Sequence, residues 1–518
     1  MKKILQAIVV PSILFACASC NDFLDTMPDN RTELNTPEKI SKVLVDAYPT
    51  ANWNMLAEFS SDNTDDNGSR NMELDRLSEE VYHWKDTKES GNDSPGAYWE
   101  ACYKAVAVSN HALEAIEKLG DTEDLKAQKG EALLCRAYGH FMLSYIFCNA
   151  WTASNQNTAL GIPYSTKPET TVNPSYERGT IGQTYEKIAK DIEEGLALVD
   201  DNNYSVPKYH FNRKAAYAFA ARFYLYYGKY ERAIECANVV LGDNASLVLR
   251  DWEALGKLSL NEDHQPNAYI STTEQANLLL ITSRSFWGLY NGPLTTSNRY
   301  CHNPTIAETE TCSSTGVWGD CTSTLKQQPA DYTSIPKVVF RKFPLYYMEY
   351  TDPVLGNGYY NIISSAFNTD ETLLVRAEAY ALTKQYTKAI ADMQCWLNAY
   401  TTSKVQLTEE NINQFYGNIA YYTPTEPTVK KELHPDFALE AGTQENLIQF
   451  ILHARRITTL HEGLRWGDIK RYGITIYRRI IEDKEITVTD ELKADDPRRA
   501  IQLPADVILA GLEANTRS

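Results

Sequence analysis

The chain has 518 residues, long enough to bury a large core, and its 68 acidic against 50 basic side chains give a formal net charge of −18. So acidic a surface repels phosphate backbones, which excludes nucleic acid as a natural partner. Tyrosine is abundant, at 33 residues, but an apolar ring with a polar tip suits sugar stacking and helix packing alike, so composition does not choose between them.

The N-terminus reads as an export signal. Lys2-Lys3 precede an apolar run from Ile4 to Ala16, interrupted by Gln6, Pro11 and Ser12, and small residues then lead to a cysteine. This run is too short and broken to span a bilayer, and no later one reaches spanning length. Cys17 follows Phe15-Ala16, whereas Cys20 follows the smaller Ala18-Ser19, so lipidation is expected at Cys20 and removal of residues 1–19. A redox pair of Cys17 and Cys20 would have no place in a removed segment.

From about Thr36 the pattern turns helical, with Ile40, Val43, Leu44 and Ala47 at i, i+3, i+4, i+7. Residues 60–71 are polar and predict a solvated loop; Asp62, Asp65 and Asp66 miss the spacing of a calcium loop. Helical patterning resumes near Tyr98 and again over 130–147. Two later stretches repeat each other. Tyr217, Ala221, Tyr224 and Leu225, then Ala233, Ala237, Val240 and Leu241, recur 156 residues on as Leu373, Ala377, Tyr380 and Ala381, then Ala389, Met393, Trp396 and Leu397. Small residues at 221/233 and 377/389 let antiparallel helices approach, which is the tetratricopeptide pattern. The units are dispersed, so they do not form an ordinary tandem solenoid.

Residues 243–365 and 401–445 are rich in Gly, Pro, Asn, Thr and Tyr and show little helical pattern. Long irregular stretches of this kind carry function or are disordered, and these hold too many aromatics to be plain linkers. Carbohydrate binding needs flat apolar faces and planar polar side chains. The best concentration is Trp287, Tyr290, Asn291, Asn298, Arg299 and Tyr300, with Trp318 following and Trp84 ahead of the first long helix. Trp287 and Trp318 lie beside glycines and outside any helical pattern, so their rings are expected to be exposed. Trp99, Trp396 and Trp466 fall on helical faces and are expected in the core.

Cys301, Cys312 and Cys321 share a loop with His302, but the spacing is too loose for zinc; a loop disulfide with one thiol left over is expected in an exported protein. Cys102, Cys135, Cys148, Cys236 and Cys395 fall in helical stretches and are expected to be buried. No G-x-S-x-G, H-E-x-x-H, P-loop or dinucleotide fingerprint occurs, so neither an enzyme nor a cofactor is expected.

The stretch 450–473, FILHARRITTLHEGLRWGDIKRYG, interleaves apolar and charged residues. Glu462–Arg465, Arg465–Asp468 and Asp468–Arg471 sit three apart, which predicts a solvated, salt-bridged helix with a structural role. Gly463 interrupts it and hints at a bend or a close backbone approach.

This stretch carries a resemblance. R-R-I (455–457) followed by E-G-x-R-W-x-D-I-K-R (462–471) resembles the C-terminal signature of the SusD/RagB family of Bacteroidetes nutrient-uptake lipoproteins. NDFLDTMPDN after Cys20 resembles that family's mature start, L-V-R-A-E-A-Y (374–380) its fourth tetratricopeptide-like unit, and D-D-P-R-R-A-I-Q-L-P (495–504) its closing segment. Ala454, Thr458, Thr459 and His461 depart from the usual pattern. The resemblance implies a mainly α fold in which dispersed tetratricopeptide-like helix pairs form a scaffold and a loop-rich second half carries the binding surface. It implies an N-terminal region over 20–242 and a C-terminal region over 243–518. The latter would hold binding loops at 243–365, a further unit at 370–400 and a signature helix at 450–473. In the family, loops at the positions of Trp84 and of 287–318 form the ligand arc, which favours Trp84, Trp287, Tyr290, Asn291, Arg299, Tyr300 and Trp318 as ligand contacts. It further implies surface anchoring in the outer membrane through Cys20. There the protein would capture oligo- or polysaccharide for a SusC-type TonB-dependent transporter. A peptide-binding RagB-like lid and a purely structural lid are the alternatives.

Overall fold

The structure is a computed structural model. It describes residues 34–73, 75–169, 176–260, 263–292, 298–332, 335–345, 347–483 and 485–517. The export signal and Cys20 lie outside these residues.

Helices dominate. The first is α1 (Pro37–Leu44), capped by the Thr36 side chain, which accepts from the Lys39 amide. Then come α2 (Asn54–Ser60), α3 (Arg76–Tyr82), α4 (Pro95–Lys118), α5 (Lys126–Phe147), α6 (Ile181–Leu196), α7 (Arg213–Tyr226) and α8 (Tyr230–Leu241). After a strand-bearing interval the chain forms α9 (Thr369–Leu382), α10 (Tyr386–Tyr400), α11 (Glu409–Asn418), α12 (Thr443–Thr458) and α13 (Arg465–Arg471). The repeat read from the sequence is α7–α8 and α9–α10. Ala221, Ala233, Ala377 and Ala389 are all fully buried where the paired helices meet. Although far apart in the chain, the two units touch: α9 packs on α10, and also on α7, α8 and α12. The helices from α4 to α9 therefore form one continuous stack, each against the next. Buried ion pairs cross its layers, with Arg136–Asp191 at 2.7 Å, Arg222–Glu371 at 3.0 Å and Arg376–Asp392 at 2.7 Å.

The strands sit between the helical units. β1 (Asn277–Arg284), β2 (Met348–Asp352) and β3 (Asn357–Asn368) make an antiparallel sheet in the order β1-β3-β2, and β3 runs directly into α9. β4 (Ile476–Glu482) and β5 (Glu485–Leu492) form a hairpin, with β4 parallel to the short Asp65–Asp66 strand. The reading of 243–365 as loop overlooked β3, because Gly358, Asn361, Ser364 and Ser365 dilute its alternation. Seven-residue helices such as α2 and α3 are too short to show a helical period.

Three expectations are corrected. Residues 60–68 are not solvated but largely buried. Each aspartate there meets an arginine: Asp62 meets Arg465 at 2.9 Å, Asp65 meets Arg479 at 2.7 Å and Asp66 meets Arg299 at 2.8 Å. Second, 450–473 is two helices rather than one. The chain turns between them at His461 and Gly463, whose φ angles are 72° and 74°. A side chain at 463 would sit 2.8 Å from the Trp53 ring, so the close approach and the bend are both present. Its charges are buried rather than solvated; of the three expected pairs Asp468–Arg471 forms along the helix at 3.7 Å, and the others give way to pairs across the fold. Glu462 meets Lys342 at 3.3 Å, and Asp468 meets Arg455 at 2.9 Å. Third, all eight described cysteines are free, Cys301, Cys312 and Cys321 included, and only Cys395 is not fully buried.

Candidate ligand-binding surface

Four of the residues favoured from the sequence come together, but inside the protein. Trp287, Tyr290, Asn291 and Tyr300 line an internal cavity of about 20 Å³ with Phe59, His302 and His461. That is room for about one water molecule, far too little for a sugar ring. The Trp287 indole N–H donates to the His461 carbonyl at 2.8 Å, and its ring meets Phe59 edge-on at 5.7 Å. Asn291 donates to the Trp287 carbonyl at 3.1 Å, and the Tyr290 hydroxyl donates to Asp75 at 2.5 Å. Tyr300 packs on Tyr82 at 4.7 Å. Trp318 is elsewhere and deeper, 1 % exposed, between Trp396, Phe450 and His453 at 5.0, 5.8 and 4.8 Å. Neither tryptophan shows a ring face to solvent.

The reason lies at the end of β1. Successive side chains of a strand point to opposite faces, and the chain then turns at Phe286 into a short helix, Trp287–Tyr290, that buries Trp287. Thr282, Arg284 and Phe286 face out, while Ser283, Ser285 and Trp287 face in. Buried Asp93 fixes this register by accepting from the Ser285 hydroxyl at 2.5 Å and the Phe286 amide at 2.9 Å. Burial raises the Asp93 carboxyl to about 6. The ring presented to solvent is therefore Phe286, one position before the tryptophan the sequence drew attention to.

Arg299 and Trp84 also serve the interior. Arg299 makes a two-pronged pair with Asp66, both bonds at 2.8 Å. Trp84 adopts a left-handed backbone, φ 51°, and its indole N–H donates to the Ser60 carbonyl at 2.9 Å. The guanidinium of Arg478 covers its ring at 3.9 Å, with Arg498 at 5.2 Å. Arg478 itself donates to the carbonyls of Phe59, Ser60 and Ser61 at 2.8, 2.9 and 2.9 Å, capping the end of α2. Sequence reasoning passed over Arg478 because nothing in a lone strand arginine announces a helix it will cap.

What remains for an external ligand is the β2–β3 hairpin and its surroundings. Six tyrosine or phenylalanine rings stand exposed among the described residues, three of them at this hairpin, Tyr347, Tyr350 and Tyr359, and a fourth, Phe286, just past β1; these are between 38 and 57 % exposed. The Tyr347 carbonyl accepts from the Asn361 amide, Glu349 lies opposite Tyr359 in the β2–β3 ladder, and Phe286 contacts Tyr360 at 5.5 Å. Arg284 lies over the Tyr359 ring at 3.7 Å, and Asn361 donates to Glu349 at 3.1 Å. Tyr347 and Tyr359 share one face with Arg284, Glu349 and Asn361, while Tyr350, opposite Gly358, stands on the other; the first face can stack on an apolar sugar face and bond its hydroxyls.

A cleft of about 1330 Å³ opens elsewhere, between residues 84–90, the first half of α4 and the segment 498–512. Its tryptophans offer no free face. Trp84 is covered by arginines, and Trp99 packs on Tyr103 at 4.9 Å and Phe147 at 5.2 Å.

Residues 22–225 match the SusD-like_3 family model, described as "Starch-binding associating with outer membrane". Solved structures share the fold across nearly the whole chain. A SusD superfamily protein from Bacteroides thetaiotaomicron is 19 % identical with a TM-score of 0.59, covering 93 % of this chain and all of its own. A SusD-like carbohydrate binding protein from Bacteroides vulgatus is 16 % identical with a TM-score of 0.62, covering 92 % of this chain and 96 % of its own. A SusD superfamily protein from Bacteroides fragilis is 16 % identical with a TM-score of 0.59, covering 92 % and 99 %. No curated protein matches the chain.

Proposed function

We propose that this chain is a member of the SusD/RagB family and a surface lipoprotein of the outer membrane, anchored through Cys20, that captures oligo- or polysaccharide and passes it to a SusC-type TonB-dependent transporter. The matched family's description and the name of the carbohydrate-binding neighbour support the ligand class. No described helix is long and apolar enough to cross a membrane, which suits attachment by a lipid. The protein acts by binding rather than by catalysis.

The observation that carries the reading is the exposure of Tyr347 and Tyr359 on one face of the β2–β3 hairpin, beside Arg284, Glu349 and Asn361, where few other tyrosine or phenylalanine rings among the described residues are exposed. Exposed rings are costly to leave in water and characterise ligand surfaces when they cluster. Titrating the soluble protein against a panel of glycans and, in parallel, against peptide mixtures tests the proposal. Saturable binding to at least one glycan is expected, with Kd in the micromolar range or about 8 kcal/mol of binding free energy. Saturation by peptides alone would replace the glycan with a peptide ligand.

A further inference from the structure

We propose that the face carrying Tyr347 and Tyr359 selects glycans bearing an isolated acidic group, a carboxylate or a sulfate, and that Arg284 is the residue that receives it. This rests on the reading of that face as the capture surface.

The arginines of this protein are nearly all engaged. Every described arginine except Arg213 and Arg284 bonds a carboxylate or a backbone carbonyl. Arg284 stands exposed at the end of β1. Among the described residues it has no carboxylate within ion-pair reach and no partner for its side-chain N–H groups, in a chain of 68 acidic and 50 basic residues. A guanidinium carries five N–H donors and cannot lose its charge in a protein. Its place is nevertheless defined, because it lies over the Tyr359 ring at 3.7 Å, where the electron-rich ring face attracts a cation. A sugar set against Tyr347 and the rim of Tyr359 therefore brings its substituents to these donors. A carboxylate or sulfate can take two parallel N–H groups at once, and such charge-assisted pairs are about twice as strong as the bonds a neutral hydroxyl makes.

Glu349 is the opposing charge on this face, and two facts weigh against its deciding the matter. It already has an internal partner, accepting from Asn361 at 3.1 Å, whereas Arg284 has none. It also belongs to β2, with β3 between it and Arg284, so the two backbones are about 10 Å apart. Coulomb energy falls with distance and salt screens it over about 8 Å, so an anion in contact with Arg284 gains more than it loses to Glu349. The same comparison limits the ligand. On a protein of net charge −18, a densely charged chain sets many like charges against one arginine, as a nucleic acid would. A single acidic sugar in an otherwise neutral glycan brings one charge to one cation.

The test is a glycan array of oligosaccharide pairs, alike except for one uronic acid carboxylate or one sulfate ester. The neutral member of each pair is made by carboxyl reduction or desulfation. The native protein should bind acidic members on the order of tenfold more tightly than their neutral partners, the worth of a charge-assisted bond pair. A preference confined to uronates or to sulfates identifies which anion Arg284 takes. Arg284→Gln should bring the members of each pair within about twofold of each other. Arg284→Lys, which keeps the charge but not the fork, should retain only part of the preference. Melting curves check that both variants are folded, as substitutions of an exposed residue should be. Equal binding within pairs by the native protein, a preference that survives Arg284→Gln, or tighter binding of a polyuronate than of singly charged members would overturn the inference and leave glycan capture standing. Silence from every glycan on the array would instead sink the capture reading on which the inference rests.

Discussion

Glu378→Ala is expected to destabilise the protein by about 3–5 kcal/mol, the usual cost of stripping one partner from a buried ion cluster. Glu378 is fully buried on α9; it forms an ion pair with Arg455 at 2.5 Å and accepts from Arg471 and from the Tyr472 hydroxyl, both at 2.6 Å. Burial by itself would raise its carboxyl, but Arg455 and Arg471 outweigh that and hold it at about 2, from an ordinary 4.5. The depressed value stabilises the fold in full above pH 4.5, and the stabilisation fades as pH falls towards 2. Over that window it amounts to about 3 kcal/mol. Denaturant melts from pH 7 down to 2.5 should show this acid-dependent loss in the native protein and a shallower one in Glu378→Ala. A variant as stable as the native protein at pH 7 would show that the cluster does not hold α9 to α12 and α13.

Trp318→Ala is expected to cost a further about 3–5 kcal/mol, the range for emptying a large aromatic site in a close-packed core. Trp318 lies against Trp396 of α10 and against Phe450 and His453 of α12, and its indole N–H reaches the Cys321 sulfur at 3.4 Å. It therefore ties a loop of the strand-bearing interval to the helical stack. Its substitution should lower the melting temperature with no direct effect on ligand affinity in the fraction that stays folded. An unchanged melting temperature would mean that the ring is not part of the core.

The helical scaffold was legible in the sequence because its signals are local. Periodic alanines and tyrosines at 217–241 and 373–397 mark their helices without reference to the rest of the chain. The binding surface was not, because exposure is a tertiary property. Trp287 beside Gly288 looked like an exposed ring, yet the short helix it opens turns it inward and leaves Phe286 outward. The 450–473 charges gave the same lesson. Their three-residue spacing fits a helical salt-bridge ladder, but Arg465 finds Asp62 about 400 residues away, a partner that no spacing rule reaches. Conversely, Gly463 did signal its turn, since only a glycine accepts both that backbone and the adjacent Trp53 ring.

The claim that capture occurs on the β2–β3 hairpin is tested most directly by titrating a bound glycan against Tyr347→Ala/Tyr359→Ala, which share one face. Both rings stand at the surface, so the melting temperature should hold within a degree or two of the native value, as for most surface substitutions. Aromatic anchors of a binding surface are typically worth about 2 kcal/mol each, so affinity should fall by about a hundredfold or more. Native affinity in a folded double variant would contradict the account and move the glycan to another surface of the protein.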